Sequence, residues 1–295
     1  MELFKRNKGT MLVIIAGISW GLISIFIRQF NKASLDSWDI MFYRSWVSAF
    51  MLFIYFILAD RKLLKFELKD IWMFFGTGIF SLTFFSFCYF NSIIALGTSV
   101  AVVLLYTSPI FVLVMSIIFF KEKINRNKLI AVAMTFAGCV LVTGIIGGGT
   151  GETISAGGII IGLGAGFGYA LYSIFAGFAM KKYSSLTITF YTFLFSGISV
   201  FFIKNPIEII GRTDIRLAPY IIGIAFVCTV LPYITYTAGM KQMDISKAAV
   251  LVTVEPLVGA LIGIFVWKEP AGVFKIIGII LILSAVVMLS KNDNK

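Results

Sequence analysis

Long apolar runs separated by short charged loops dominate the chain. Residues 98–120 are 23 in a row without a charge, and about 20 apolar residues suffice for a helix to cross a hydrocarbon core of roughly 30 Å. The runs are continuous rather than alternating, which favours helices over the strands of an outer-membrane barrel. The pattern predicts ten spans, over 9–30, 38–59, 71–94, 98–120, 128–146, 157–180, 186–204, 218–240, 246–267 and 272–290. The longest breaks fall at 60–70, 147–156 and 205–217. None is long enough for a soluble domain. The Gly147-Gly148-Gly149-Thr150-Gly151 run reads as a flexible connector at the midpoint.

The chain also repeats itself. Residues 95–142 align without a gap on 242–289, with 11 of 48 positions identical, among them Ser99/Ser246, Ala101/Ala248, Pro109/Pro256, Lys121/Lys268 and Glu122/Glu269. In the first and sixth spans, 16–26 and 165–175 share six of eleven residues. The division expected is a first five-helix repeat over 1–146, a Gly-rich linker over 147–156 and a second five-helix repeat over 157–295. An odd number of spans per copy makes the second copy enter the membrane from the opposite side. The fold class expected is therefore all-α integral membrane, with ten transmembrane helices as two inverted five-helix repeats around a central cavity. Inverted repeats of this kind are the architecture of secondary transporters, with the site near the midplane.

Composition agrees with that picture. The chain is 59% hydrophobic and 13% charged, with mean hydropathy +0.99, against about 25% charge in a soluble domain. The net charge of +11 does not imply nucleic-acid binding, because Lys and Arg cluster in short loops. With the N-terminus placed in the cytoplasm, 17 of them fall in cytoplasmic segments and 6 in outer loops, so both termini are expected to be cytoplasmic. Residues 1–8 are basic, but the apolar run that follows is long and reads as a first span rather than a cleaved signal. Cys88, Cys139 and Cys228 each lie inside an apolar run and read as packing residues. The absence of histidine removes imidazole metal sites, serine–histidine catalysis and histidine proton relays. No metal, cofactor or catalytic residue is expected. The Gly147–Gly151 run lacks the following lysine and hydroxyl of a phosphate-binding loop.

Glu255 is the clear carboxylate at membrane depth, and such groups are functional-site candidates by default. It shares a helix face with Gly259 and Gly263, whose spacing lets another backbone approach closely. Its repeat counterpart is Ser108, whereas the neighbouring Pro109 and Pro256 belong to both copies. These prolines and Pro232 are expected to break their helices and frame a site. In the first span Gly17, Gly21, Ser24 and Arg28 lie along one face, matched by Gly166, Ala170, Ser173 and Gly177. Close packing accounts for the small residues there. Trp20 and Tyr169 are equivalent, as are Tyr89 and Tyr236. Asn91, Tyr106 and Thr253 complete the polar groups expected to bind substrate. Arg28 and Arg44 read either as headgroup anchors that snorkel outward and pair with Asp36 or Asp39, or as an anion-attracting outer vestibule. Lys121-Glu122 and Lys268-Glu269 read as interfacial anchors at opposite surfaces.

The two five-helix repeats, Ser19-Trp20-Gly21, Tyr43-Arg44, the two Lys-Glu pairs and Val254-Glu255-Pro256 resemble the EamA-type members of the drug/metabolite transporter superfamily. The resemblance covers nearly the whole chain. It implies a central cavity lined mainly by helices 1, 3, 4, 6, 8 and 9, a bacterial plasma-membrane location, and export of amino acids, metabolites or drugs. The expected function is secondary transport of a small metabolite by alternating access. The partners expected are a small-molecule substrate, the lipid bilayer and protons as a candidate coupling ion. No nucleic acid is expected, and a monomer suffices. The rival reading is a channel-like or structural membrane protein without coupled transport.

Overall fold

The structure is a computed structural model that describes residues 8–143, 145, 155–270 and 272–291. The Gly147–Gly151 connector lies outside the described residues. Among these residues the secondary structure is helical, with no strand. The main helices are α1 (Lys8–Gly21), α2 (Ile23–Lys32), α3 (Ser37–Ala59), α4 (Ile71–Phe75), α5 (Phe84–Leu105), α6 (Ser108–Phe120), α7 (Arg126–Val142), α8 (Ala156–Ala179), α9 (Ser185–Val200), α10 (Pro206–Arg212), α11 (Ala218–Ala225), α12 (Leu231–Met240), α13 (Ile245–Leu251), α14 (Val254–Phe265) and α15 (Val273–Lys291). Local chemistry sets their starts. The side chains of Asn125, Ser155 and Ser184 accept hydrogen bonds from the first free amides of α7, α8 and α9, as N-cap residues do.

Among the described residues seven helical segments are long and apolar enough to cross a membrane: 8–32, 37–59, 68–105, 156–179, 215–240, 245–265 and 273–290. The shorter apolar helices α6 and α9 accompany them. The expected boundary between the third and fourth spans falls on Gly97, whose φ of 75° and ψ of 164° break α5.

Two expected spans are broken in the middle. The 98–120 run breaks at Tyr106–Thr107, between α5 and α6, and the 246–267 run breaks at Val252–Thr253, between α13 and α14. Pro109 lies in the first turn of α6, where a missing N–H and a fixed φ cost nothing, and Pro256 follows directly on Glu255 in the first turn of α14. Each proline therefore opens the second half-helix rather than kinking a continuous one. Pro232 likewise opens α12, directly after a π turn over Phe226–Val230. A second π turn covers Gly76–Thr83. The hydrophobic pattern does not reveal either turn. Inside them Thr83 Oγ1 donates to the Gly78 carbonyl at 3.1 Å and Thr229 Oγ1 to the Ile224 carbonyl at 2.9 Å. The threonines thus satisfy carbonyls within the apolar interior, where unsatisfied groups are costly.

Packing crosses the two halves. Helix α1 lies on α12 and α14, α8 on α5 and α6, α3 on α9, and α7 on α15. The small face predicted on the first span is where α1 meets the second break. A Cβ at Gly17 would sit 2.7 Å from the Val252 carbonyl oxygen, and one at Gly21 would sit 2.5 Å from Val258 Cβ. Gly166 on α8 faces the first break in the same way, with the Leu104 carbonyl oxygen 2.7 Å from its would-be Cβ. The close approach expected at Gly259 is absent: nothing lies within 4 Å of a Cβ there, because Gly259 borders an open gap.

The expected pairing of Asp36 and Asp39 with Arg28 or Arg44 is also corrected. Asp36 caps α3, accepting from the Trp38 and Asp39 amides, and pairs with Lys204 at 2.5 Å. Asp39 pairs with Arg212. The two carboxylates thus fasten the start of α3 to Lys204 and to Arg212 at the end of α10, which pattern reading could not bring near. Burial tends to raise the Asp36 carboxyl, but the Lys204 ammonium and the cap amides outweigh it and hold it below its usual value.

Replacing Gly21 by Ala drives a methyl into Val258 and is expected to destabilise the fold by about 1–3 kcal/mol. Gly259→Ala is expected to stay within about 0.5 kcal/mol of the parent. Thermal unfolding in detergent micelles checks the contrast; equal melting of the two variants would contradict the packing described.

Candidate functional site

The breaks, the π turns and the aromatic residues converge on one cavity of about 230 Å³. Its wall includes Trp20 from α1, Arg44 from α3, Phe85, Ser86, Tyr89, Phe90 and Tyr106 from α5 and its end, Tyr169 from α8, Tyr233 from α12 and Glu255 from α14. Ser37 and Ile40 line it at one end, near the start of α3. Two voids of about 10 Å³ each adjoin it. One is lined by Tyr106, Ser108, Tyr169, Ser173, Tyr236, Thr253 and Glu255, the other by Trp20, Tyr169, Ser173 and Tyr236 among others. Tyr169 is common to all three.

Trp20 is the centre of the aromatic wall. Its ring meets Tyr233 edge-on at 5.1 Å between centroids, Tyr169 edge-on at 6.4 Å and Tyr236 tilted at 5.5 Å. Edge-to-face contacts of this kind hold ring orientation beyond what burial alone gives. The phenols behind them are tied down. Tyr236 shares a hydrogen bond with Ser173 at 2.9 Å, and Tyr172 with Thr237 at 2.8 Å.

One carboxylate and one guanidinium line this cavity. Glu255 accepts from the Tyr169 hydroxyl at 3.1 Å, and among the described residues no Lys or Arg forms an ion pair with it. Arg44 donates from Nε to Thr229 Oγ1 at 3.0 Å and from its terminal nitrogen to the Cys228 carbonyl at 3.3 Å. Both acceptors belong to the π turn before α12. That turn presents a carbonyl and a hydroxyl sideways and holds the guanidinium on the cavity wall. One carboxylate and one guanidinium thus share a mostly apolar, aromatic cavity.

Of the expected substrate-contacting residues, Glu255, Trp20, Tyr89, Tyr106, Ser108, Tyr169, Ser173, Tyr236 and Thr253 line this system. Thr253 turns its hydroxyl back to the Val250 carbonyl at 2.5 Å. Asn91 and Ser24 lie off it: the Asn91 amide donates to the Phe87 carbonyl one turn back in its own helix, and the Ser24 hydroxyl is buried without a partner among the described residues. Arg28 stacks over the Trp267 ring at 4.1 Å instead of entering a vestibule, a cation–π contact. Arg44 faces the cavity. Phe85, Phe90 and Phe193 line it too, and no apolar pattern distinguishes them from ordinary core residues. Cys88, Cys139 and Cys228 are buried and free, as their apolar surroundings suggest.

Residues 7–144 and 156–291 each match the sequence model of the EamA-like transporter family. A protein of Archaeoglobus fulgidus named "Uncharacterized transporter" is 26% identical over 285 residues, covering 95% of both chains. "Uncharacterized transporter YojE" of Bacillus subtilis is 24% identical and covers 92% of this chain and 89% of its own. A solved structure described as "Crystal structure of protein" superposes with a TM-score of 0.80 at 14% identity, covering 98% of this chain and 99% of the other. That likeness is one of fold.

Tyr169→Phe keeps the ring but removes the hydroxyl that Glu255 accepts from, and leaving a buried polar group short of a partner costs about 1–3 kcal/mol. The loss is expected to vanish in a Glu255→Leu background, which has no acceptor for that hydroxyl, giving a coupling of about 0.5–3 kcal/mol in a double-mutant cycle of unfolding. Additive effects would show that the contact carries no stability.

Proposed function

The chain belongs to the EamA-like transporter family, and from that premise we propose that it is a secondary transporter that exports a small cationic or zwitterionic metabolite, such as an amine or amino acid, across a bacterial plasma membrane by alternating access. The observation that carries this reading is the cavity that Glu255 and Arg44 line together. Charged side chains at bilayer depth cost roughly 2.5–3.5 kcal/mol on insertion scales and are kept there for pathways and ligands. A solute with an ammonium group matches Glu255, a carboxylate on the same solute matches Arg44, and an apolar remainder matches Trp20, Phe85 and Tyr89. The size of the cavity also discriminates. About 230 Å³ lies below the roughly 300–1,000 Å³ of pockets for drug-sized ligands, which favours a small metabolite over a bulky drug.

The topology that goes with this reading is ten spans in two inverted five-helix repeats, over 1–146 and 157–295, with both termini cytoplasmic. The two family matches, the breaks at Tyr106–Thr107 and Val252–Thr253 and the paired π turns support it, since each feature occurs once per half. The basic residues of the loops support the orientation. In that frame the end of the cavity at Ser37 and Ile40 faces outward. Glu255 is the residue proposed to carry a coupling proton where transport is proton-linked.

Counterflow into proteoliposomes decides between a carrier and a pore. Uptake of labelled amines and amino acids is expected to saturate and to be accelerated by unlabelled solute inside. Glu255→Gln is expected to lower uptake by at least about tenfold, equivalent to about 1.4 kcal/mol. It is also expected to flatten the dependence on an imposed proton gradient. Unsaturable flux, or no counterflow with any metabolite pool, would remove the carrier reading. Full proton-dependent uptake by Glu255→Gln would remove the coupling role.

A further inference from the structure

The two Lys-Glu pairs end their helices in the same way but stand in opposite states. Lys121 closes α6 with φ of 55°, and Lys268 follows α14 with φ of 60°. In each case the next residue's amide reaches back to the helix: Glu122 to the Ser116 carbonyl at 3.4 Å and Glu269 to the Gly263 carbonyl at 3.0 Å. In both, a left-handed lysine turns the chain so that the next amide bonds a carbonyl six residues back, one residue wider than the usual six-to-one closure. The two glutamates therefore leave their helices along equivalent paths.

What they touch differs. Glu122 reaches across to the other half and accepts from the Ile245 amide at 2.6 Å, the Ser246 amide at 3.3 Å and the Ser246 hydroxyl. These are the first amides of α13, where a helix has donors to spare. Lys128 lies 3.6 Å from Glu122 and 2.6 Å from Asp244. The Glu122 side chain is 8% exposed and that of Lys128 7%. At this end α13 packs on α6.

At an offset of 147, Ile245 and Ser246 correspond to Thr98 and Ser99, and Lys128 to Lys275. Thr98 is exposed and Ser99 half-buried, where Ile245 and Ser246 are buried. The Glu269 side chain is 52% exposed; it pairs with Lys275 at 3.1 Å, and among the described residues no backbone amide of the other half donates to it. A gap of about 840 Å³ separates the two sides, with Thr98, Ser99 and Val102 on one wall and Gly259, Glu269 and Lys275 on the other. Gly259, spaced for close packing with Gly263, looks into that gap with nothing against it.

We propose that Glu122 and Glu269 are reciprocal latches of an alternating gate, closed one at a time. In the conformation described here Glu122 is latched on the amides of Ile245 and Ser246, and the Glu269 end is open. In the opposite conformation Glu122 releases α13 while Glu269 takes the amides of Thr98 and Ser99 and the Ser99 hydroxyl, and the bare face at Gly259 receives the start of the 98–105 helix. This rests on the carrier reading above and adds to it the residues that hold each end shut.

Cross-linking tests the gate without any substrate. Val102→Cys with Gly259→Cys places two thiols on opposite walls of the open gap, and a disulfide needs Cα atoms within about 7 Å. The full chain in liposomes is treated with an oxidant, with each single-cysteine variant giving the background from Cys88, Cys139 and Cys228. Slow cross-linking is expected in the otherwise native chain. Glu122→Ala is expected to speed it at least about fivefold by unlatching the closed end, and Glu269→Ala and Ser99→Ala each to slow it at least about fivefold. Glu269 and Ser99 lie at an open end, so those two variants still test the gate should Glu122→Ala fail to fold. Equal rates in all backgrounds would overturn the latches while leaving a carrier whose counterflow stands. No cross-link in any background would show that the gap never closes and would overturn the gate itself; counterflow judges the carrier reading separately.

Discussion

Backbone N–H and C=O groups inside a bilayer must find partners within the protein, and this site depends on how that constraint is met. A continuous apolar helix meets it by itself but leaves no polar group with which to grip a solute. Here helices are interrupted at several places, among them Gly76–Thr83, Tyr106–Thr107, Phe226–Val230 and Val252–Thr253, and at these four side chains supply the missing bonds. Thr107 Oγ1 donates to the Leu104 carbonyl at 2.6 Å and Thr253 Oγ1 to the Val250 carbonyl at 2.5 Å, one beside each half-helix break. Thr83 and Thr229 do the same in the π turns. Each break thus costs little, and a break can offer polar backbone to a neighbouring side chain. Arg44 shows the consequence: its guanidinium is held by a π-turn carbonyl and by the threonine that mends that turn.

The same constraint explains the small residues. A broken helix with exposed carbonyls has to be covered closely, and Gly17 and Gly166 bring α1 and α8 against the breaks. The small face of the first span was legible in the sequence because its 3.6-residue period survives, and so was its counterpart in the sixth. The role of that face as a lid on a break was not legible, since nothing in the pattern says which helix lies opposite.

Legibility follows physical range. Spans, prolines and the internal repeat are local or self-comparing features, and the sequence displays them. Contacts between distant segments are a different matter. Asp36 and Asp39 have Arg28 and Arg44 nearby in the chain, yet pair with Lys204 and Arg212 on the far side of the repeat boundary. Asn91 is polar and lies in an apolar run, but its amide is spent on its own helix. The π turns leave no signature, because a five-residue closure differs from a four-residue one only in where the side chains then point. Glu255 could be picked out because one carboxylate in an apolar run is conspicuous. Arg44 reads equally well as a headgroup anchor until the turn that holds it is seen.

The two halves are alike in backbone and unlike in charge, and the differences fall where they matter. Ser108 stands opposite Glu255, so the cavity carries one carboxylate rather than two. Gly97 stands opposite Asp244, so the closed end has an ion pair to Lys128 that the open end cannot reproduce. Asp244 is 56% exposed on its side chain, and a pair of that kind contributes at most about 1 kcal/mol. In the gate proposed above, a bias of that size would favour the conformation described here without locking it. Two states are useful to a ligand only when they lie within a few kcal/mol of each other. A stronger ion pair at one end would hold the chain on one side of the membrane, and a perfectly symmetric chain would have no resting side. One weak, partly exposed pair at one end lies between those extremes.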